Sequence, residues 1–149
     1  MIVDFDREYS FLSNFYDSPF VYEGITYPTN EHFFQAMKTL DQKERKKIAA
    51  AATPGQAKRL GRHVALRPDW ENVKLDVMKL GLSLKFSDPV LQRKLLNTND
   101  EILVEGNWWH DNTWGSCHCP LCDKIPGKNL LGKSLMELRT TLQQTKNLF

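Results

Sequence analysis

The chain has 149 residues and a formal net charge of +2, with acids and bases interleaved along it. That length suits one domain, residues 1–149, with a real core, and eight Phe, four Tyr and four Trp exclude a disordered or low-complexity chain. The near-neutral balance speaks against a general nucleic-acid binder. No apolar run spans a bilayer and Met1–Asp6 lacks a signal-peptide pattern, so a soluble, cytoplasmic protein with no membrane partner is expected.

Ile2-Val3-Asp4-Phe5 is a short strand candidate, followed by a polar-aromatic loop, Phe11-Leu12-Ser13-Asn14-Phe15-Tyr16. Phe20–Tyr22, Glu23-Gly24 and Ile25–Tyr27 predict a small hairpin turning at the glycine. Pro28-Thr29-Asn30-Glu31 starts a helix running through Lys38, with Thr29 or Asn30 as N-cap and a carboxylate in the first turn. Its spacing places Phe33, Met37 and Leu40 on a core-facing side. Glu31, Gln35 and Lys38 fall together on another side, with Phe34 at their flank. That ridge reads either as a solvated polar face or as one wall of a catalytic cleft.

Asp41 with Glu44 caps a helix that stops before Thr53-Pro54, and Thr53-Pro54 caps a short one through Leu60. Arg67-Pro68-Asp69 opens a long helix with Val73, Val77, Leu80 and Leu84 at core spacing, and Ser87-Asp88-Pro89 a short one with Leu91 and Leu95. Glu101–Glu105 is the best late strand, an irregular stretch covers residues 107–128, and the last helix carries Leu131, Leu135, Leu138 and Leu142 down one face. Function is expected in the two irregular segments.

Gly127-Lys128-Asn129-Leu130-Leu131-Gly132-Lys133-Ser134 fits the phosphate-binding pattern G-x-x-x-x-G-K-[ST]. Such a loop must follow a buried strand with its N–H groups free, whereas this one follows Asp123–Pro126 and too little chain remains for a nucleotidase, so a phosphate loop is not expected. Cys117, Cys119 and Cys122 have zinc-knuckle spacing, with His110 or His118 as fourth ligand; the other reading is a set of reduced thiols packing a loop. Trp108, Trp109 and Trp114 crowd a polar loop with Asn107, Asp111 and Asn112. Aromatics beside carboxylates suit a flat heterocycle or a sugar, or they anchor the loop to the core.

In this order the segments resemble the NADAR, or YbiA-like, family. The matching runs are Phe11–Phe15, Tyr27–Lys38, Gly61-Arg62, Arg67–Trp70, Trp114-Gly115 and Gly127–Met136. The resemblance implies an α+β, mostly helical, single-domain YbiA-like fold with a few short strands. It implies an N-glycosidase that breaks a ribose C1–N bond, with a ribose-containing nucleotide or ADP-ribosylated nucleic acid as substrate. The known substrate classes are phosphorylated aminopyrimidine ribosides of riboflavin synthesis and ADP-ribosylated guanine. No metal or organic cofactor is implied, and no oligomeric state.

Carried over residue by residue, the resemblance points to Lys38 and Glu31 as catalytic, with Trp70, Trp114 and Asn129 at the substrate. Asn14, Phe15, Gln35, Asp111 and Gly115 complete the expected substrate-binding set, and Asp111 or Glu105 is a possible second acid. Two routes fit: a carboxylate stabilises charge developing on the ribose, or the Lys38 amine attacks C1 to form a Schiff base. The resemblance implies the lysine route. Two non-enzymatic readings compete with it, a module that binds ADP-ribose or a nucleotide and a zinc-knuckle nucleic-acid binder.

Overall fold

The computed structural model describes the backbone of residues 1–148 and the side chains of residues 1–146. Among these residues six α-helices, one 3-10 helix and four very short strands make a mostly helical α+β fold. The chain divides into two compact units, residues 14–85 and residues 1–13 with 86 onward. No helix among the described residues is long and apolar enough to cross a membrane.

In the 14–85 unit, β1 (Phe20–Tyr22) and β2 (Ile25–Tyr27) pair antiparallel with Phe20 opposite Tyr27. Glu23 and Gly24 take φ of 47° and 79°, the left-handed pair that a two-residue hairpin needs. α1 (Asn30–Ala36) packs against α2 (Gln42–Ala49), α3 (Pro54–Gly61) and α4 (Trp70–Lys85). Seven residues are too few for a helix to stand alone, so packing holds α1 in place. Phe33 supplies much of it, with Phe20, Tyr22 and Tyr27 meeting its ring edge-on at 5.3–5.4 Å.

Local signals set the starts of these helices. Thr29 accepts from the His32 N–H, Asp41 from that of Lys43 and Thr53 from that of Gln56. The far end of α1 differs from expectation: the helix stops at Ala36, and Lys38 lies in the following turn. The last carbonyls of α1 accept from the N–H groups of Met37, Lys38 and Thr39, and donors from elsewhere take the carbonyls of the turn that follows. The Arg67 N–H bonds the Lys38 oxygen at 2.7 Å, and Arg45 Nε bonds that of Thr39 at 2.8 Å. Leu40 therefore leaves the expected core side and is 59 % exposed, whereas Phe33 and Met37 are buried.

α4 also buries a different face from the expected one. Its buried residues are Trp70, Val77, Met78, Gly81, Leu82 and Lys85, while Leu80 is exposed and Val73 and Leu84 are half-buried. Polar contacts help fix this rotation, since the side-chain amides of Asn14 and Asn30 both reach Met78 Sδ at 3.5–3.6 Å.

The other unit holds the 3-10 helix Arg7–Leu12, α5 (Pro89–Leu96) and α6 (Leu130–Leu148), with α5 packed on α6. Asp88 caps α5 by accepting from Val90 and Leu91. Leu131 and Leu135 are fully buried, and Leu138 and Leu142 half-buried. The two strands expected at Ile2–Phe5 and Glu101–Glu105 reduce to one parallel bridge, Ile2 with Leu103. The chain turns into the 3-10 helix at Arg7, before a ladder can lengthen. A different pair forms inside the expected irregular stretch, β3 (Gly106–Asn107) parallel to β4 (Ser116–Cys117).

Candidate active site

All seven residues of α1 are buried, so its polar ridge is not a solvated face. Gln35 Nε2 donates to Glu31 Oε1 at 2.8 Å, and Gln35 Oε1 is buried with no hydrogen-bond partner. Glu31 is itself fixed at the backbone, its N–H bonding the Asn14 carbonyl at 3.0 Å. The Asn14 side-chain oxygen accepts from Asn30 Nδ2 at 2.9 Å, which ties Asn14 to the start of α1. Phe15, beside it, is 48 % exposed. His32 locks the same turn: the Nε2–H tautomer donates to the Ala51 carbonyl at 3.0 Å while Nδ1 accepts from the Thr29 hydroxyl at 2.8 Å.

Lys38 is half-buried just past α1, with Nζ 6.0 Å from the centre of the Phe34 ring. Burial lowers its pKa from the ordinary lysine value; Glu31 opposes the shift, and the positive charges of Lys58 and Arg62 add to it. The Arg67-Pro68-Asp69-Trp70 segment explains the placement. Arg67 holds the Lys38 carbonyl through its N–H, its guanidinium meets Asp69 at 2.6 and 3.1 Å, and Trp70 packs edge-on against Phe34 at 5.1 Å. Glu31, Gln35, Lys38 and Trp70 thus share one neighbourhood around Phe34, to which α3 contributes charge. Lys58 was not singled out in the sequence, and Arg62 only as part of the matching run Gly61-Arg62; their spacing at i and i+4, just past the Thr53-Pro54 cap, was the available signal.

The remaining expected residues lie in the other unit. Asp111 Oδ1 accepts from the N–H groups of Thr113 and Trp114 at 3.1 and 2.9 Å, a turn that fixes the half-buried Trp114 backbone. Gly115 packs directly on the Glu105 carbonyl, so a Cβ there would collide with it. Asn129, at φ 51°, accepts from the Glu105 N–H at 3.0 Å and donates to the Leu103 carbonyl at 2.9 Å, engaging both ends of its amide with backbone. Trp108 and Trp109 are 65 % and 63 % exposed and do not anchor the loop to the core.

The phosphate-loop pattern fails for a definite reason. The N–H groups of Lys128, Asn129, Leu130 and Leu131 donate to the carbonyls of Asn112, Gly115, Thr113 and Trp114. The start of α6 therefore clamps the Trp114 loop, and those groups are not free to cradle a phosphate.

Lys85 escaped the sequence reading entirely. It is 2 % exposed at the end of α4, with Nζ 5.7 Å from the centre of the Tyr16 ring, and burial lowers its pKa to about 7. A lysine at the end of an amphipathic helix ordinarily reads as solvated, and no local pattern marked this one.

A short buried helix that carries a carboxylate and an amide, followed by a half-buried lysine of lowered pKa, holds the groups that nucleophilic or electrostatic catalysis uses. The chain belongs to the NADAR domain family, whose profile matches residues 3–143. It is 40 % identical over 142 residues to N-glycosidase YbiA of Escherichia coli strain K12, covering 91 % of this chain and 82 % of that protein. The NMR structure of the E. coli protein YbiA matches with a TM-score of 0.81 at 39 % identity, covering 98 % of this chain and 87 % of the other, and the fold is YbiA-like. Riboflavin biosynthesis protein VVA0006 of Vibrio vulnificus is 33 % identical over 146 residues, 93 % of this chain but 37 % of that longer protein.

Proposed function

We propose that this chain is an N-glycosidase that hydrolyses the bond between ribose C1 and a nitrogen in a phosphorylated nucleoside or nucleotide. The observation that carries the reading is Lys38, a half-buried amine whose pKa falls through desolvation beside Glu31 and against Phe34. A charged ammonium cannot attack; a desolvated amine can. The name of the E. coli relative, N-glycosidase, supports the bond type.

In this mechanism the neutral Lys38 amine adds to C1. The C1–N bond breaks with its electron pair going to the departing base, and the ring oxygen leaves C1 to give an imine. The two protons lost by the amine go to the base nitrogen and to the ring oxygen. Water then adds to the imine, releasing the sugar aldehyde and restoring the amine. Glu31 stabilises the positive charge on C1 as the bond lengthens, with Gln35 orienting it. Trp70 offers an aromatic face to base or ribose, and Lys58 and Arg62 suit a substrate phosphate.

Both substrate classes of the family carry phosphate, so the deciding assay presents them side by side: ADP-ribosylated guanine in DNA, and a phosphorylated aminopyrimidine riboside. Borohydride added during turnover should leave a covalent sugar adduct on Lys38. Lys38→Arg keeps the charge but removes the nucleophile, so it should bind substrate and release no base. Full turnover by that variant would overturn the imine route.

A further inference from the structure

We propose that His110, Cys117, Cys119 and Cys122 form a structural zinc site that fixes the Trp114 loop. The site is separate from the proposed glycosidase chemistry and does not depend on it. One ligand atom from each residue lies within 4.8 Å of all the others. His110 Nδ1 is 3.3 Å from Cys119 Sγ, 3.3 Å from Cys122 Sγ and 4.0 Å from Cys117 Sγ. A tetrahedral zinc with Zn–S near 2.3 Å and Zn–N near 2.0–2.1 Å requires N···S edges of about 3.6 Å and S···S edges of about 3.8 Å. The observed N···S distances bracket that edge, so an ion draws the four atoms together by no more than about an ångström.

The surrounding backbone is built for thiolates. The N–H groups of His110 and Cys119 both donate to Cys117 Sγ, at 3.3 and 3.4 Å, which offsets negative charge on sulfur. The Cys119-Pro120-Leu121-Cys122 turn closes with the Cys122 N–H on the Cys119 carbonyl at 3.0 Å, turning two sulfurs to one side. Cys117 is positioned by β3 and β4, and His110 takes a φ of 68°, unusual for a residue with a side chain. All three cysteines are buried and none is in a disulfide. The structure also decides between the two histidines, because the ring of His118 lies edge-on to Trp108 at 6.0 Å.

Three soft thiolates and an imidazole select zinc over magnesium or calcium, and four protein ligands leave no open position for catalysis. Binding releases one proton from each of the three thiols and leaves a centre of net charge −1. The loop it closes is the one that holds the candidate substrate residues. Asn107 Oδ1 accepts from the Asp111 N–H at 3.1 Å, and Asn112 Oδ1 from that of Cys117 at 2.9 Å, linking the cluster to the Asp111–Trp114 turn.

The test is metal analysis and cobalt substitution of the full chain. Protein made in zinc-replete medium and dialysed without chelator should carry one zinc per chain, and stripping the metal should lower the melting temperature. Cobalt(II) added to the stripped protein should give thiolate-to-metal charge-transfer bands and the intense visible bands of a tetrahedral ion. Cys122→Ser and His110→Ala should weaken or change that spectrum, and His118→Ala should leave it intact. Protein that takes up neither metal in stoichiometric amount overturns the site, as does a Cys119–Cys122 disulfide found by mass spectrometry after alkylation without reduction. Loss of the cobalt spectrum in His118→Ala but not His110→Ala would overturn the ligand set.

Discussion

Gln35 donates its side-chain N–H to Glu31 across 2.8 Å, one helical turn away, in a helix with no exposed face. The bond fixes the carboxylate at a point where the N-terminal end of α1 also suits negative charge. Gln35 Oε1 is left buried without a hydrogen-bond partner, packed against Gly61 where a Cβ would collide with it. A carboxylate held this way is ready to face developing positive charge without reorganising.

Glu31→Gln keeps the shape and hydrogen-bonding capacity of the side chain and removes its charge. Its kcat should fall by about 100-fold or more, the scale of losing one preorganised electrostatic contact at a reacting centre. The melting temperature should change little, because the amide can still bond Gln35. A wild-type kcat in the variant would remove Glu31 from the chemistry.

Lys38 sets a pH dependence whose sign follows from its neighbours. Activity needs the neutral amine, so kcat/KM should rise with pH and level off below the ordinary lysine value, because burial lowers this pKa. Lys58 and Arg62 push in the same direction, so Arg62→Leu should move the rise to higher pH, and Glu31→Gln, which removes the opposing charge, to lower pH. Measuring kcat/KM against pH for all three proteins checks this. Three superimposed curves would show that the limb belongs to another group.

Much of unit 14–85 was legible because its signals are local. The Glu23-Gly24 turn and the Thr29, Asp41 and Thr53 caps act within four residues, and each element begins where those residues place it. The end of α1 was not legible, because the turn after it is held by Arg45 and Arg67, which bond the carbonyls of Thr39 and Lys38 from outside its own sequence. The same holds for Glu101–Glu105, where extended backbone found one bridging partner in place of a ladder. Pattern brought Glu31, Gln35 and Lys38 to one ridge, yet their burial depends on three helices packed around α1, which periodicity within the segment does not report. Lys85 and the pairing of β3 with β4 were hidden for the same reason.

Trp114→Ala separates a binding role from a packing role. Stacking of one base on an aromatic face contributes about 1–3 kcal/mol, so the variant should bind substrate more weakly by that amount. Trp114 is half-buried and its backbone is held by Asp111 and by the first turn of α6, so melting should be nearly unchanged. A binding titration run beside a thermal melt distinguishes the outcomes. A collapsed melting temperature would make Trp114 a core anchor and withdraw the binding assignment.

Lys85 should write itself into the stability of the folded chain. In the native state its pKa is about 7, whereas in the unfolded chain it returns to the ordinary lysine value of 10.5. Between those values the folded protein holds the neutral amine and the unfolded chain the ammonium, so unfolding takes up a proton. Stability then rises with pH across that window, by at most about 1.4 kcal/mol per pH unit from this group. Below pH 7 both states are protonated and Lys85 adds no slope, while the full cost of burying the charge is present. Lys85→Met keeps the length and apolar packing of the side chain and removes the titration. Urea unfolding of both proteins at pH 7, 8 and 9 should show the wild type gaining stability relative to the variant at each step. Parallel profiles would mean that Lys85 titrates toward the ordinary lysine range in the folded protein as well.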